Sequence, residues 1–200
     1  MKTTNKLYLL ALAFLALSFS GCDSEDPVPE NDGELITDVT LIFQELDANA
    51  SPVGDPMSFK ASDPEGIETG QTPTVETVKL KKGSKYRMNI SVTNAIENED
   101  ITAEILEESD EHQFYFLGTA FIGDSSPLTY TYDDPSGELI GVRGTVVSAA
   151  NPSTNNAQIR VVLRHDLDKN YPGADNPNFA DFASAGGESD LDITFPVVIE

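Results

Sequence analysis

The sequence predicts an all-β fold, an antiparallel immunoglobulin-like β-sandwich with one short crossover helix. Three observations predict it. Apolar and polar residues alternate at period two in several short segments, turn-forming residues separate those segments, and a single stretch shows helical periodicity instead.

Taken in order, Val39, Leu41 and Phe43 alternate with Thr40 and Ile42. Tyr86, Met88, Ile90 and Val92 alternate with Arg87, Asn89, Ser91 and Thr93, the clearest strand in the chain. Leu128, Tyr130 and Tyr132 form a third segment, Ile159, Val161 and Leu163 a fourth, and Leu191, Ile193 and Phe195 a fifth. Each pattern puts one face on a core and the other toward water. Further strands are expected over Val75–Lys81, Gln113–Leu117 and Val142–Ala149. Lys82-Gly83-Ser84, the run 133–137 and the run 151–156 supply turn chemistry between strands. With one cysteine and no tryptophan, the chain lacks the antibody core pattern, so the likeness is architectural.

The helical exception is the segment from Asp100 to His112. Asp100 is a credible N-cap, and Ala103, Glu104 and Leu106 favour helix. Ile101 and Ile105 mark its inward face, and at about 100° per residue Glu108 and His112 continue that stripe, with Glu104 on its border. Glu107, Glu108, Asp110 and Glu111 crowd the C-terminal end, where the helix dipole disfavours negative charge. The like-charged pairs Glu104/Glu108 and Glu107/Glu111 add a penalty of roughly 0.2–0.5 kcal/mol each. A bound cation or a nearby arginine would relieve it.

The second histidine, His165, closes the strand at Ile159–Leu163, and alternation turns it inward. Asp166 and Asp168 follow it. His112, His165, Glu108, Glu104 and Asp166 therefore form a candidate metal set, with imidazole and carboxylate donors suited to zinc, copper, iron or manganese. The competing assignment keeps both histidines structural or exposed, with Glu108 paired to Arg164 or Lys169. A separate candidate is a calcium loop through Asp166, Asp168 and Asn170, whose D-x-D-x-N opening resembles an EF-hand. Tyr171 replaces the sixth-position glycine, and Pro177 the twelfth-position glutamate.

The amino terminus is different in kind. Lys2 and Lys6 precede an apolar run from Leu7 to Phe19, then Ser20-Gly21-Cys22. That run is shorter than the about 20 residues a spanning helix needs, and it fits the apolar core of an export signal. Small residues directly before a cysteine resemble the lipobox of bacterial lipoproteins, with Phe19 standing where leucine is usual. The chain has no second cysteine for Cys22 to pair with. The expected organisation is a signal peptide over 1–21, an acidic flexible tether over 22–34 and a β-sandwich domain over 35–200. Cys22 is the expected lipidation site and lipid its link to the membrane. The acidic residues after Cys22 resemble a surface-export signal of Bacteroidetes lipoproteins. Outer-membrane attachment is thus expected, facing either the cell surface or the periplasm.

The formal net charge is −22, from 12 basic and 34 acidic residues. Such a balance disfavours nucleic acid and anionic lipid headgroups as partners. Catalytic signatures such as G-x-S-x-G, H-E-x-x-H or a phosphate-binding glycine loop do not occur, and a non-enzymatic role is expected.

The segments Glu111–Phe116, Arg164–Lys169 and Gly186–Phe195, with the acidic tether and the Asp100–Glu108 helix, resemble a family of small lipoproteins from Flavobacteria and related Bacteroidetes. Members sometimes carry the label "type 1 periplasmic binding fold", a two-lobed α/β architecture that this strand-rich sequence does not support. The resemblance implies work beside a TonB-dependent outer-membrane transporter, capturing metal, haem or another nutrient. The alternative expectation is a structural or adhesive surface sandwich stabilised by calcium.

Overall fold

The computed structural model describes residues 35–68 and 72–200 of the chain. The expected signal peptide, Cys22 and the tether lie outside the described residues. Among the described residues ten strands form two sheets, and the predicted all-β sandwich with a short helix is the architecture found. The strands are β1 (Asp38–Leu46), β2 (Met57–Ser62), β3 (Thr74–Val75), β4 (Val78–Leu80), β5 (Lys85–Thr93), β6 (Gln113–Leu117), β7 (Leu128–Tyr132), β8 (Arg143–Ser148), β9 (Asn156–His165) and β10 (Glu188–Ile199). The six-stranded sheet runs β3-β2-β1-β5-β8-β7 and the four-stranded sheet β4-β10-β9-β6. All pairings are antiparallel except β4 with β10.

Inward residues of both sheets meet in one core that includes Leu41, Phe43, Tyr86, Met88, Phe114, Phe116, Val161, Leu163 and Phe195. Each large apolar side chain buried there contributes roughly 1.5–3 kcal/mol. The helix α1 (Ile101–Glu107) carries the chain from β5 in one sheet to β6 in the other, as a crossover should. Ile101 and Ile105 are fully buried in the common core. Thr102 ties the first turn to β5, its hydroxyl bonding both the amide and the carbonyl of Val92.

Three expectations are corrected. The helix stops at Glu107 rather than running to His112, which follows from four acids crowding a helix end whose carbonyls already carry partial negative charge. Asp100 occupies the N-cap position, but its side chain makes no capping hydrogen bond. Val75–Lys81 is not one strand but two, with β3 at the edge of the larger sheet and β4 at the edge of the smaller. A further strand, β2, was not anticipated. It pairs with β1, yet exposed Ser58 and Lys60 leave its sequence with little apolar signal.

Within the smaller sheet, β6 and the adjoining part of β9 are buried on both faces. Tyr115, Leu117 and Val162 point away from the main core into a second cluster with Leu167 and Ala185, packed by Tyr171, Phe179 and Phe182. The long connection between β9 and β10 supplies that cover. The guanidinium groups of Arg160 and Arg164 lie 5.7 and 5.4 Å from the centre of the Phe182 ring. Where the described chain begins, the amide of Ile67 donates to the carbonyl of Ile36 (2.9 Å). The neighbouring carboxylate of Glu68 accepts from the amide of Asp192 in β10 (2.6 Å). The entry to the domain and the start of β10 therefore share one end of the sandwich.

Candidate metal centre

Three chain segments converge at that same end. The turn after α1 leads into β6 and delivers His112, where the amide of His112 continues the helical pattern by donating to the carbonyl of Glu108 (3.1 Å). The end of β9 delivers His165. The start of β10 delivers Asp190. The imidazoles of His112 and His165 stack, with centroids 4.4 Å apart and planes 13° from parallel.

Asp190 reaches the pair through a β-bulge. Pairing with β9 runs Glu188↔His165 and Ser189↔Arg164, then resumes at Leu191↔Leu163, leaving Asp190 as the extra residue. Such a bulge re-aims a side chain that strict alternation would send elsewhere. The Asp190 Oδ2 lies 3.8 Å from His112 Nε2 and 3.9 Å from His165 Nδ1. Gly187 makes the approach possible, since a Cβ at that position would stand 2.0 Å from the His165 carbonyl oxygen, and its φ of +70° favours glycine.

Burial is graded across the site. His112 is 2% exposed, the Asp190 side chain 11% and the His165 side chain 17%. Burial, with the neighbouring His165 charge, holds the His112 imidazole below its usual value and so favours its neutral, ligating form. Burial pushes the Asp190 carboxyl above the usual carboxylate range, partly countered by the two histidines. The Nδ1 of His112 lies 3.3 Å from the Glu108 carbonyl, which can only accept, so the ring proton belongs on Nδ1. That leaves the Nε2 lone pair facing Asp190.

On the opposite edge stand solvent-facing acids. Glu108 Oε2 is 3.7 Å from His112 Nδ1, Glu111 Oε2 is 3.5 Å from His165 Nε2, and Asp166 Oδ1 is 3.8 Å from the same nitrogen. Ligand atoms of Glu108, His112 and His165 gather closely enough to hold an ion, and so do those of Glu111, His165 and Asp166. Two donors on a tetrahedral ion with bonds of about 2.0–2.2 Å stand about 3.3–3.5 Å apart. The Glu111–His165 separation falls in that range, and the others are a few tenths wider. The near-parallel rings point their lone pairs side by side, so gripping one ion together requires a tilt of the His165 ring.

Of the residues the sequence singled out, His112, His165, Glu108 and Asp166 come together. Glu104 does not join them, because its carboxylate lies against that of Glu99 and raises the Glu99 carboxyl. Asp190 and Glu111 were missed as ligands. Alternation along β10 gave no sign of the bulge, and Glu111 was one acid among many. In the proposed calcium loop, Asp168 Oδ1 accepts from the Asn170 amide (3.0 Å), while Asp166 turns to His165. Arg164 spends its guanidinium on Ser189 and the carbonyls of Gly186 and Gly187. Lys169 donates to the carbonyls of Ser109 (2.5 Å) and Leu139 (3.4 Å).

No family model, no curated protein and no solved structure matches the chain, so the reading of this site stands on its own geometry.

Proposed function

We propose that this protein is a non-enzymatic, membrane-anchored binding module that captures a divalent transition metal between His112, His165 and Asp190. The observation that carries the reading is the meeting of two imidazoles and one nearly buried carboxylate from three separate segments. Nitrogen and oxygen donors of this kind suit zinc, copper or iron. The rim of Glu108, Glu111 and Asp166 would attract the ion from solution and leave a path for its release. Lipid on Cys22 would hold the protein on the outer membrane. The released metal would pass to a transporter in the same membrane, of the TonB-dependent class that the sequence resemblance implies.

The test is titration of the chelator-stripped full chain carrying Cys22→Ser, so that no thiol competes. Zinc, copper, iron, manganese and calcium are added separately and bound ions counted by native mass spectrometry. A transition-metal ion held at micromolar affinity or tighter, and lost in His112→Ala, supports the proposal. Binding of calcium alone, or of nothing, would leave a structural or adhesive sandwich.

A further inference from the structure

We infer that the cluster takes two divalent ions rather than one, with His165 shared between them; the inference rests on the metal-binding reading above. The two nitrogens of His165 face different carboxylates on opposite edges of its ring. Nδ1 lies 3.9 Å from Asp190 Oδ2, beside His112, while Nε2 lies 3.5 Å from Glu111 Oε2 and 3.8 Å from Asp166 Oδ1. An inner ion would sit among His112 Nε2, Asp190 and His165 Nδ1, and an outer ion among His165 Nε2, Glu111 and Asp166.

Charge points the same way. Four carboxylates, those of Glu108, Glu111, Asp166 and Asp190, surround two imidazoles. One divalent ion would leave half of that negative charge uncompensated, whereas two, with the bridging imidazolate of His165 counted, would leave a single negative charge. Ligation through both nitrogens requires His165 to lose its remaining ring proton. Uptake of the second ion therefore releases one proton to solvent, and no oxidant or reductant is involved. The inner position is enclosed and the outer one is open, so the outer ion would exchange faster.

Copper(II) is the probe, added to the chelator-stripped full chain carrying Cys22→Ser. Native mass spectrometry should count two ions per chain, and the paired Glu111→Gln, Asp166→Asn variant should count one. Both substituted side chains are solvent-facing, so the fold should survive. Electron paramagnetic resonance should show a coupled copper pair in the parent chain and an isolated centre in the variant. Saturation at one ion would overturn the two-ion site while leaving metal capture intact. Two uncoupled copper signals would overturn the sharing of His165. No bound copper would instead remove the underlying metal-binding reading.

Discussion

Asp190 Oδ2 lies 3.8 Å from His112 Nε2, although alternation from Leu191, Ile193 and Phe195 would turn Asp190 to the other face of β10. The bulge between Ser189 and Leu191 makes the difference. Asp190→Asn keeps the shape of the side chain and removes its charge. Zinc affinity, measured by isothermal titration, should fall by at least about 10–100-fold, the loss that follows removal of even an outer-shell partner of a metal ligand. Asp192→Asn, two residues on and paired with Arg160, should leave affinity unchanged. Equal losses in both variants would point to general surface charge rather than a built site.

Gly187 holds β10 against the end of β9. Gly187→Ala would drive a Cβ into the His165 carbonyl and force a left-handed φ on alanine. Denaturant unfolding should show a loss of about 1–3 kcal/mol, with weaker metal binding as His165 shifts. Gly137→Ala, at a comparable φ but in open space, should show the strain without the metal defect.

Lys169 ties three segments together at the edge of the site. Burial pulls its ammonium below the usual lysine value, with Glu138, Asp110 and Asp134 opposing that shift. Lys169→Met keeps the stem and deletes the donor, leaving the Ser109 carbonyl without it. The expected cost is about 1–3 kcal/mol of stability. Increased hydrogen exchange should follow in residues 108–112, the turn that carries His112.

Acid sensitivity should trace partly to Asp38. Burial works to raise its carboxyl, but Lys60 at 2.7 Å and the hydroxyls of Ser62 and Thr37 prevail and hold it below its usual value. A carboxyl depressed in the folded state stabilises above its unfolded value, near about 3.9, and loses that contribution as pH falls through the folded value. Thermal melts of Lys60→Met should therefore start from a lower Tm at neutral pH and decline less steeply on acidification than the parent. Parallel acid limbs would assign the sensitivity to other groups.

Much of the sandwich was legible because one-sided burial writes itself into alternation, as in β5 and the first half of β9. What was hidden were the features that break alternation. β2 is a polar strand held by pairing with β1, and β3 and β4 are short edge pieces that one apolar stretch disguised as a single strand. In the site, His112 and His165 stood out because the chain has only two histidines. Their partner Asp190 did not, because a bulge costs one residue and leaves no mark in a chain rich in acids. Glu104 shows the reverse case, since helical spacing put it beside the stripe, yet in the first turn of α1 it faces Glu99 rather than the histidines.

The shared end formed by Ile36, Ile67, Glu68 and Asp192 gives the domain a polarity. The histidine pair lies at that end, while the turn around Gly83, held against Ala149 at the far end of β5, lies at the other, so a change at the pair should reach Ile36 and Ile67 before it reaches Gly83.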